Sequence, residues 1–279
     1  MQTVKMQIKR FESFLNKQVP FLRPLLSYLR LRRAAFAPAS RAPFYLLDTM
    51  WKRKTIDQIS DRAFSRAFIP IADPLMKGDV FEFGVCAGYS SMFLAKYMKK
   101  FRLDDTSLHL FDSFEGLPED KELDANSYEC SQGIWKKGDM KVCDGLEHYI
   151  HKKLSKILSP NRVHVVKGFF EDTLHNYFST LPHAKAKLIH IDCDLYSSTK
   201  FVLDFLFKAE VVQDGTMIVF DDWMTSRGNP NLGQRKAVSE VLSKYPWWDF
   251  EKYFTSEKGS QIFVAHDLRI TKVAAVQNS

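Results

Sequence analysis

Between residues 80 and 220 the chain repeats one pattern: a short apolar run rich in β-branched and aromatic residues, then a longer amphipathic stretch. The runs at 80–85, 108–112, 164–167, 188–191 and 217–220 are too short for buried helices. They are also too continuously apolar for strands wetted on one face, and read as buried parallel strands. The intervals at 92–98, 174–181, 198–208 and 234–244 have helical spacing. Strand and helix in alternation predict a doubly wound, mostly parallel α/β sheet with a Rossmann-like order. The end of the chain departs from this rhythm. Residues 249–254 and 261–265 flank a Glu257-Lys-Gly-Ser260 turn, which predicts a C-terminal hairpin and one antiparallel strand.

Two of these strands end in acids. Asp192 and Asp194 close the run that begins at Leu188, and Asp221 and Asp222 close the run that begins at Met217. Parallel sheets place their sites at the carboxyl edge, so the four acids should emerge together. Clustered carboxylates repel one another unless a cation lies between them, and a divalent metal with oxygen ligands suits them. Taken alone, an Asp-Asp pair after a strand is also an ordinary turn or helix-capping signal.

The first strand leads into Glu82-Phe-Gly84-Val-Cys86-Ala-Gly88-Tyr89-Ser90. Cys86 stands where a dinucleotide fingerprint needs its middle glycine, and no GxxxxGK[ST] exists for a P-loop. What remains is a glycine turn preceded by an acid, with a second acid, Asp112, ending the next strand. That arrangement suits a nucleoside with a cationic tail, S-adenosylmethionine: Asp112 can accept the ribose hydroxyls, and Glu82 can place the ammonium or orient the turn. The competing reading is close helix–strand packing at Gly84 and Gly88.

Charge is unevenly spread over the 279 residues. Residues 1–45 carry nine Lys/Arg and a single acid, a balance of +8 within a total of +7, so the remainder is near neutral. A neutral body excludes a basic groove for nucleic acid. The arm interleaves bases with Phe and Leu but is cut by Pro20 and Pro24, and it has no uncharged run long enough to span a membrane. It reads as a helical arm packing on its own domain or on a second subunit in a homo-oligomer, with peripheral contact to an anionic membrane as the alternative. Four cysteines without CxxC spacing indicate reduced thiols and a cytoplasmic location. The polar, glycine-punctuated segment 115–147 is too long for an ordinary connection. Trp135 within it would be wasted on a solvated linker, which favours a lid over the site against a disordered insertion.

Five motifs in this order resemble the macrocin O-methyltransferase family. They are Glu82-Phe-Gly-Val-Cys-Ala-Gly-Tyr-Ser-Ser91, Phe111-Asp-Ser-Phe-Glu-Gly-Leu-Pro118, Val166-Lys-Gly-Phe-Phe-Glu-Asp-Thr-Leu174, His190-Ile-Asp-Cys-Asp-Leu-Tyr-Ser-Ser-Thr-Lys200 and Phe220-Asp-Asp222. The Thr49-Met50 pair and Gly233-Gln-Arg-Lys-Ala237 resemble further family segments. The resemblance implies a methyltransferase domain over 46–279 with a seven-stranded sheet, acting with S-adenosylmethionine and Mg²⁺ on a hydroxyl of a sugar or glycoside. Cofactor contacts are implied at Thr49, Met50, Glu82, Gly84, Gly88, Tyr89, Ser90, Asp112, Ser113, Phe114, Gly168 and Phe169. Asp194, Asp221 and Asp222 are implied metal ligands. The same likeness makes Asp194 the general base, with Asp192 as rival because strand residues two apart share a face.

Other readings stay open on the residues alone. His190 is either a base or a core histidine. Phe169 and Phe170 either sandwich an adenine or pack the core, and Lys200 either pairs with the acids or faces solvent. His148, His151, His164 and His175 lack the spacing of a zinc site. A catechol or phenol acceptor also fits metal-bound vicinal hydroxyls, and a non-catalytic scaffold would keep the fold without needing the acids.

Overall fold

In the computed structural model, which describes residues 64–119 and 121–270, the five apolar runs become adjacent strands of one seven-stranded sheet. The elements in chain order are α1 (residues 64–71), β1 (Asp79–Phe83), α2 (Tyr89–Lys100), β2 (Leu108–Asp112), α3 (Glu122–Ala125), α4 (Tyr128–Ser131) and α5 (Leu146–Leu154). There follow β3 (Val163–Lys167), α6 (Phe170–Ser179), β4 (Ala186–Ile191), α7 (Tyr196–Lys208), β5 (Met217–Phe220), α8 (Gly233–Lys244), β6 (Trp248–Thr255) and β7 (Gln261–Asp267). The strand order is β3-β2-β1-β4-β5-β7-β6. All pairings through β5 are parallel, and β7 runs antiparallel to both β5 and β6. The expected doubly wound sheet with a C-terminal hairpin is therefore the fold. The basic arm at residues 1–45, with its expected subunit or membrane docking, lies outside the described residues, as do Thr49 and Met50.

Side-chain alternation along β1 divides the core. Val80 packs with Phe68, Ile71, Met92, Phe93, Met98, Ile150 and Leu154 beneath α1, α2 and α5. Phe81 and Phe83 point the opposite way, toward Leu174, Phe178, Leu203, Leu206 and Val238 of α6, α7 and α8. Both faces of the sheet are thus covered, which is why its strands carry apolar residues without alternation. Aromatic rings fill the second layer: Phe83 stacks on Phe111 at 5.0 Å, and Phe81 stacks on His109 at 4.8 Å. Each fully buried phenylalanine contributes roughly 1.5–3 kcal/mol of transfer free energy. Among the described residues, no helix is long and apolar enough to cross a membrane.

The order in which strands are added reverses between β1 and β4, because β2 and β3 lie to one side and β5 to the other. Loops leaving these two strands must diverge, and the crevice between them is where α/β proteins bind ligands. The approach of the two loops is unusually close. Gly84 follows β1 with φ +90°, and a Cβ placed on it would lie 1.8 Å from the Asp192 carbonyl oxygen. Only glycine lets the turn after β1 pass beneath the backbone that carries Asp192 and Asp194.

Gly84→Ala should lower stability by at least about 2 kcal/mol in urea unfolding, through backbone collision and left-handed strain together. Gly138→Ala is the control: its φ is +81° but its added Cβ meets nothing within 4 Å, so it should cost only about 1 kcal/mol. Equal losses would show that the contact with Asp192 is not what demands glycine.

Candidate active site

The strand ends deliver the acids to one place. One carboxylate oxygen each from Asp192, Asp221 and Asp222 lies within 4.8 Å of the others. Asp192 follows β4 directly, and its N–H donates to the Phe83 carbonyl at 2.8 Å. Asp221 follows β5, with its N–H on the Ile191 carbonyl at 3.1 Å. Sheet-like bonding therefore continues one residue past each strand and fixes the acids in register. Asp194 stands beside this trio rather than within it. Its φ is +60°, and its N–H donates to Asp222 Oδ2 at 3.1 Å. The sequence expectation grouped Asp194 with Asp221 and Asp222, whereas the close trio has Asp192 in that position. The left-handed residue turns the chain after Asp192, so the alternation of an unbroken strand no longer applies at Asp194.

Burial, followed by the charges of Asp221 and Asp222, pushes the Asp192 carboxyl well above the ordinary range. Asp222 is raised for the same reasons, with Asp194 its strongest charged neighbour. Such a set of oxygens is unfavourable as three anions and favourable around a hard cation, so the donor chemistry fits Mg²⁺. Two side chains hold the trio in place. Buried Gln234 accepts the Asp222 N–H at 3.0 Å and donates to the Ile191 carbonyl at 3.1 Å. Ser260, from the hairpin turn, donates to Asp221 Oδ1 at 2.9 Å. Neither was singled out in the sequence. Gln234 had a signal in the Gly233-Gln-Arg segment, while Ser260 had none.

The turn after β1 lies against this cluster. Asp112 Oδ2 accepts the N–H groups of Val85 and Cys86, each at 2.7 Å, and Oδ1 accepts the Phe114 N–H at 2.6 Å. A carboxylate offers about four acceptor positions, so the backbone takes most of what was expected for a ribose. Burial still pushes Asp112 above the usual range, against these three donors. Glu82 is fully buried; Ser91 Oγ donates to its Oε2, and His190 Nδ1 lies 3.0 Å from its Oε1. Its carboxylate thereby ties β1 to the start of α2 and to β4, in keeping with the expectation that it orients the turn. His190, 1 % exposed and edge-on to Phe64, is a buried core histidine. Burial, followed by the charge of Asp112, pushes the Cys86 thiol up, which disfavours its thiolate.

Gly88 begins α2 with φ +71°, and Tyr89 packs edge-on against Phe93 at 5.2 Å while Ser90 is half-buried. Ser113 and Phe114 are buried at the end of β2. Ser113 Oγ donates to the Gly116 carbonyl and accepts the Glu115 N–H. Gly168 has φ +143° and joins β3 to α6. Of the two phenylalanines that follow, Phe170 packs edge-on to Phe83 in the core. Phe169 lines a cleft of about 470 Å³ with Leu117, Pro118 and Gly138. Lys200 pairs with Asp204 on α7 and not with the cluster.

The 115–147 segment packs against both acid-bearing loops. Trp135 is 9 % exposed and sits with Leu117 and Leu195. Asp124, 1 % exposed, accepts the Ser197 N–H at the start of α7. The segment is anchored by side chains that its glycine content concealed.

Comparison with known proteins agrees with this architecture. The Macrocin-O-methyltransferase (TylF) family matches residues 45–240. An 8-demethyl-8-(2,3-dimethoxy-alpha-L-rhamnosyl)-tetracenomycin-C 4'-O-methyltransferase of Streptomyces olivaceus is 27 % identical over 176 residues, which are 60 % of this chain and 59 % of that protein. The chain thus spans well under two thirds of the curated relative. Among solved structures, the calicheamicin methyltransferase CalS11 superposes with a TM-score of 0.63 at 19 % identity, over 85 % of this chain and 90 % of that one. The O-methyltransferase NovP gives 0.56 at 18 % identity, over 79 % and 98 %. At these identities the two structures share the fold. With the matching model extending over most of its length, the chain belongs to the macrocin O-methyltransferase family.

Proposed function

We propose that this protein transfers a methyl group from S-adenosylmethionine to a hydroxyl of a sugar or glycoside, with Mg²⁺ held at the carboxylate trio. The observation that carries the reading is the convergence of Asp192, Asp221 and Asp222 beside a glycine turn at the switch point of the sheet. A scaffold has no use for a repulsive cluster that needs a dedicated glutamine and serine to hold it. The activities of similar proteins point the same way. The Streptomyces olivaceus enzyme is named for a rhamnosyl group, and CalS11 is described as a TDP-rhamnose 3'-O-methyltransferase. Four free thiols support a reducing, cytoplasmic setting.

A sugar hydroxyl is a poor nucleophile, since its pKa lies far above neutrality. Bound S-adenosylmethionine supplies an activated methyl, and Mg²⁺ bound to oxygen ligands supplies a positive charge that lowers the pKa of a nearby hydroxyl. Asp192, Asp221 and Asp222 would hold the metal. Asp194, on the turn beside them, would take the hydroxyl proton as general base. On the cofactor side, Gly84 and Gly88 keep the turn open, and Asp112 rigidifies it through three backbone donors. Phe169 would present an apolar wall to the adenine, and Asp112 would offer its remaining acceptor capacity to the ribose. The docked 115–147 segment would exclude water and select the acceptor.

Two outcomes follow. Asp194→Asn should retain Mn²⁺ and S-adenosylmethionine binding by calorimetry yet lose at least about 100-fold in kcat, whereas Asp222→Asn should lose the metal itself. Unchanged turnover in Asp194→Asn, measured with labelled cofactor and nucleotide-sugar or glycoside acceptors, would remove Asp194 as the base.

The second concerns pH. Raised carboxyls favour the folded state when protonated and lose that contribution as pH rises, so metal-free protein carries a growing electrostatic cost at Asp192 and Asp222 above the ordinary carboxylate range. Mg²⁺ binds the deprotonated oxygens. The rise in Tm on adding Mg²⁺ should therefore be larger at pH 7.5 than at pH 5, and EDTA should abolish it. A shift independent of pH would place the ion elsewhere.

A further inference from the structure

Glu129 lies in α4 of the 115–147 segment, and its carboxylate reaches Ser226 in the turn that follows Asp222. Oε1 accepts the Ser226 N–H at 2.9 Å, while Oε2 accepts the same N–H at 3.1 Å and the Ser226 hydroxyl at 2.9 Å. Ser226 Oγ in turn accepts the Tyr128 N–H at 3.1 Å. These bonds join residues 97 and 98 positions apart, and Ser226 is 6 % exposed. The Glu129 carbonyl also accepts the N–H groups of Ile134 and Trp135, so the clasp is continuous with the buried tryptophan.

What the clasp holds is strained. Ser226 and Arg227 are consecutive non-glycine residues with φ +51° and +57°. Each costs roughly 1–2 kcal/mol in the left-handed region. Such a pair persists only where its surroundings over-determine it, and strain of this kind gathers at functional sites. The turn begins at the metal trio: the Thr225 N–H and Oγ–H both donate to the Asp222 carbonyl, at 3.1 and 2.7 Å. Its far side carries the Arg227 guanidinium 4.6 Å over the Tyr128 ring, back on the segment that supplies Glu129.

We infer that Glu129 is a positioning residue: it holds the strained turn at 225–228 and, through Thr225, the backbone of Asp222, so that docking of the 115–147 segment sets the geometry of the carboxylate trio. The consequence for the metal rests on the proposed role of that trio. The clasp itself does not. Groups that orient metal ligands from behind typically change metal affinity 10- to 100-fold when lost.

The test uses the full chain as wild type, Glu129→Ala, Glu129→Asp and the double variant Glu129→Ala/Ser226→Gly. Folding of each is checked by circular dichroism, amide hydrogen exchange is measured over 222–228, and Mn²⁺ affinity is read by electron paramagnetic resonance. Glu129→Ala should exchange faster over that segment and bind Mn²⁺ about 10-fold more weakly. Glu129→Asp, which keeps a carboxylate, should lie between it and wild type. Ser226→Gly in the Ala background should recover affinity, because glycine adopts the left-handed turn without the clasp. Unchanged exchange in Glu129→Ala overturns the inference, as does unchanged Mn²⁺ affinity. Failure of the double variant to recover also overturns it, since Glu129 would then act by charge and not by holding the turn. If wild type binds no Mn²⁺, the metal reading of the trio fails separately, and hydrogen exchange decides the role of Glu129.

Discussion

Like charges held at short range must be relieved or they work against the fold, and that constraint organises this protein. Asp192, Asp221 and Asp222 bring carboxylate oxygens within 4.8 Å at one sheet edge, with Asp194 adjacent. The surrounding bonds run toward them: β4 and β5 each extend one residue to set register, Gln234 bridges the strand end to Asp222, and Ser260 reaches in from the hairpin. These contacts fix positions but cancel little charge. A cation does both, and the oxygen-only donor set suits a hard one.

The second constraint is proximity. Gly84 allows the turn after β1 to pass within a carbonyl's reach of Asp192, so the turn and the carboxylate trio share one contact. On the proposed function the gain would be alignment, because a methyl donor and a metal-bound hydroxyl placed by the same rigid backbone would need little further ordering to react. It also makes the site sensitive to its walls. The insertion contributes Asp124 to the start of α7, Trp135 to the apolar contact at Leu195 and Glu129 to the turn after Asp222. It is therefore anchored to both loops that carry the acids.

The sheet was readable because parallel strands buried on two faces must be continuously apolar, and those runs survive in any context. The hairpin was readable from its Lys258-Gly259 turn and flanking aromatics. The acids could be located but not sorted, since the left-handed bend at Asp194 breaks the two-residue alternation and no residue-level signal announces a positive φ on aspartate. Glu82 and Asp112 stood out as acids beside a glycine turn, yet their partners are a serine, a histidine and backbone N–H groups, which only tertiary placement reveals. The Glu129–Ser226 clasp was invisible for the same reason: it joins a one-turn helix to a polar turn 97 residues away, where neither period nor composition carries information.

The carboxylate trio is proposed to bind a divalent cation beside the methyl donor. Crystals grown with S-adenosylhomocysteine and Mn²⁺, measured near the manganese absorption edge, test it most directly. A single anomalous peak ligated by oxygens of Asp192, Asp221 and Asp222, with the product bound beside the turn after β1, is the expected result. A peak elsewhere, or none with the product bound, would contradict it.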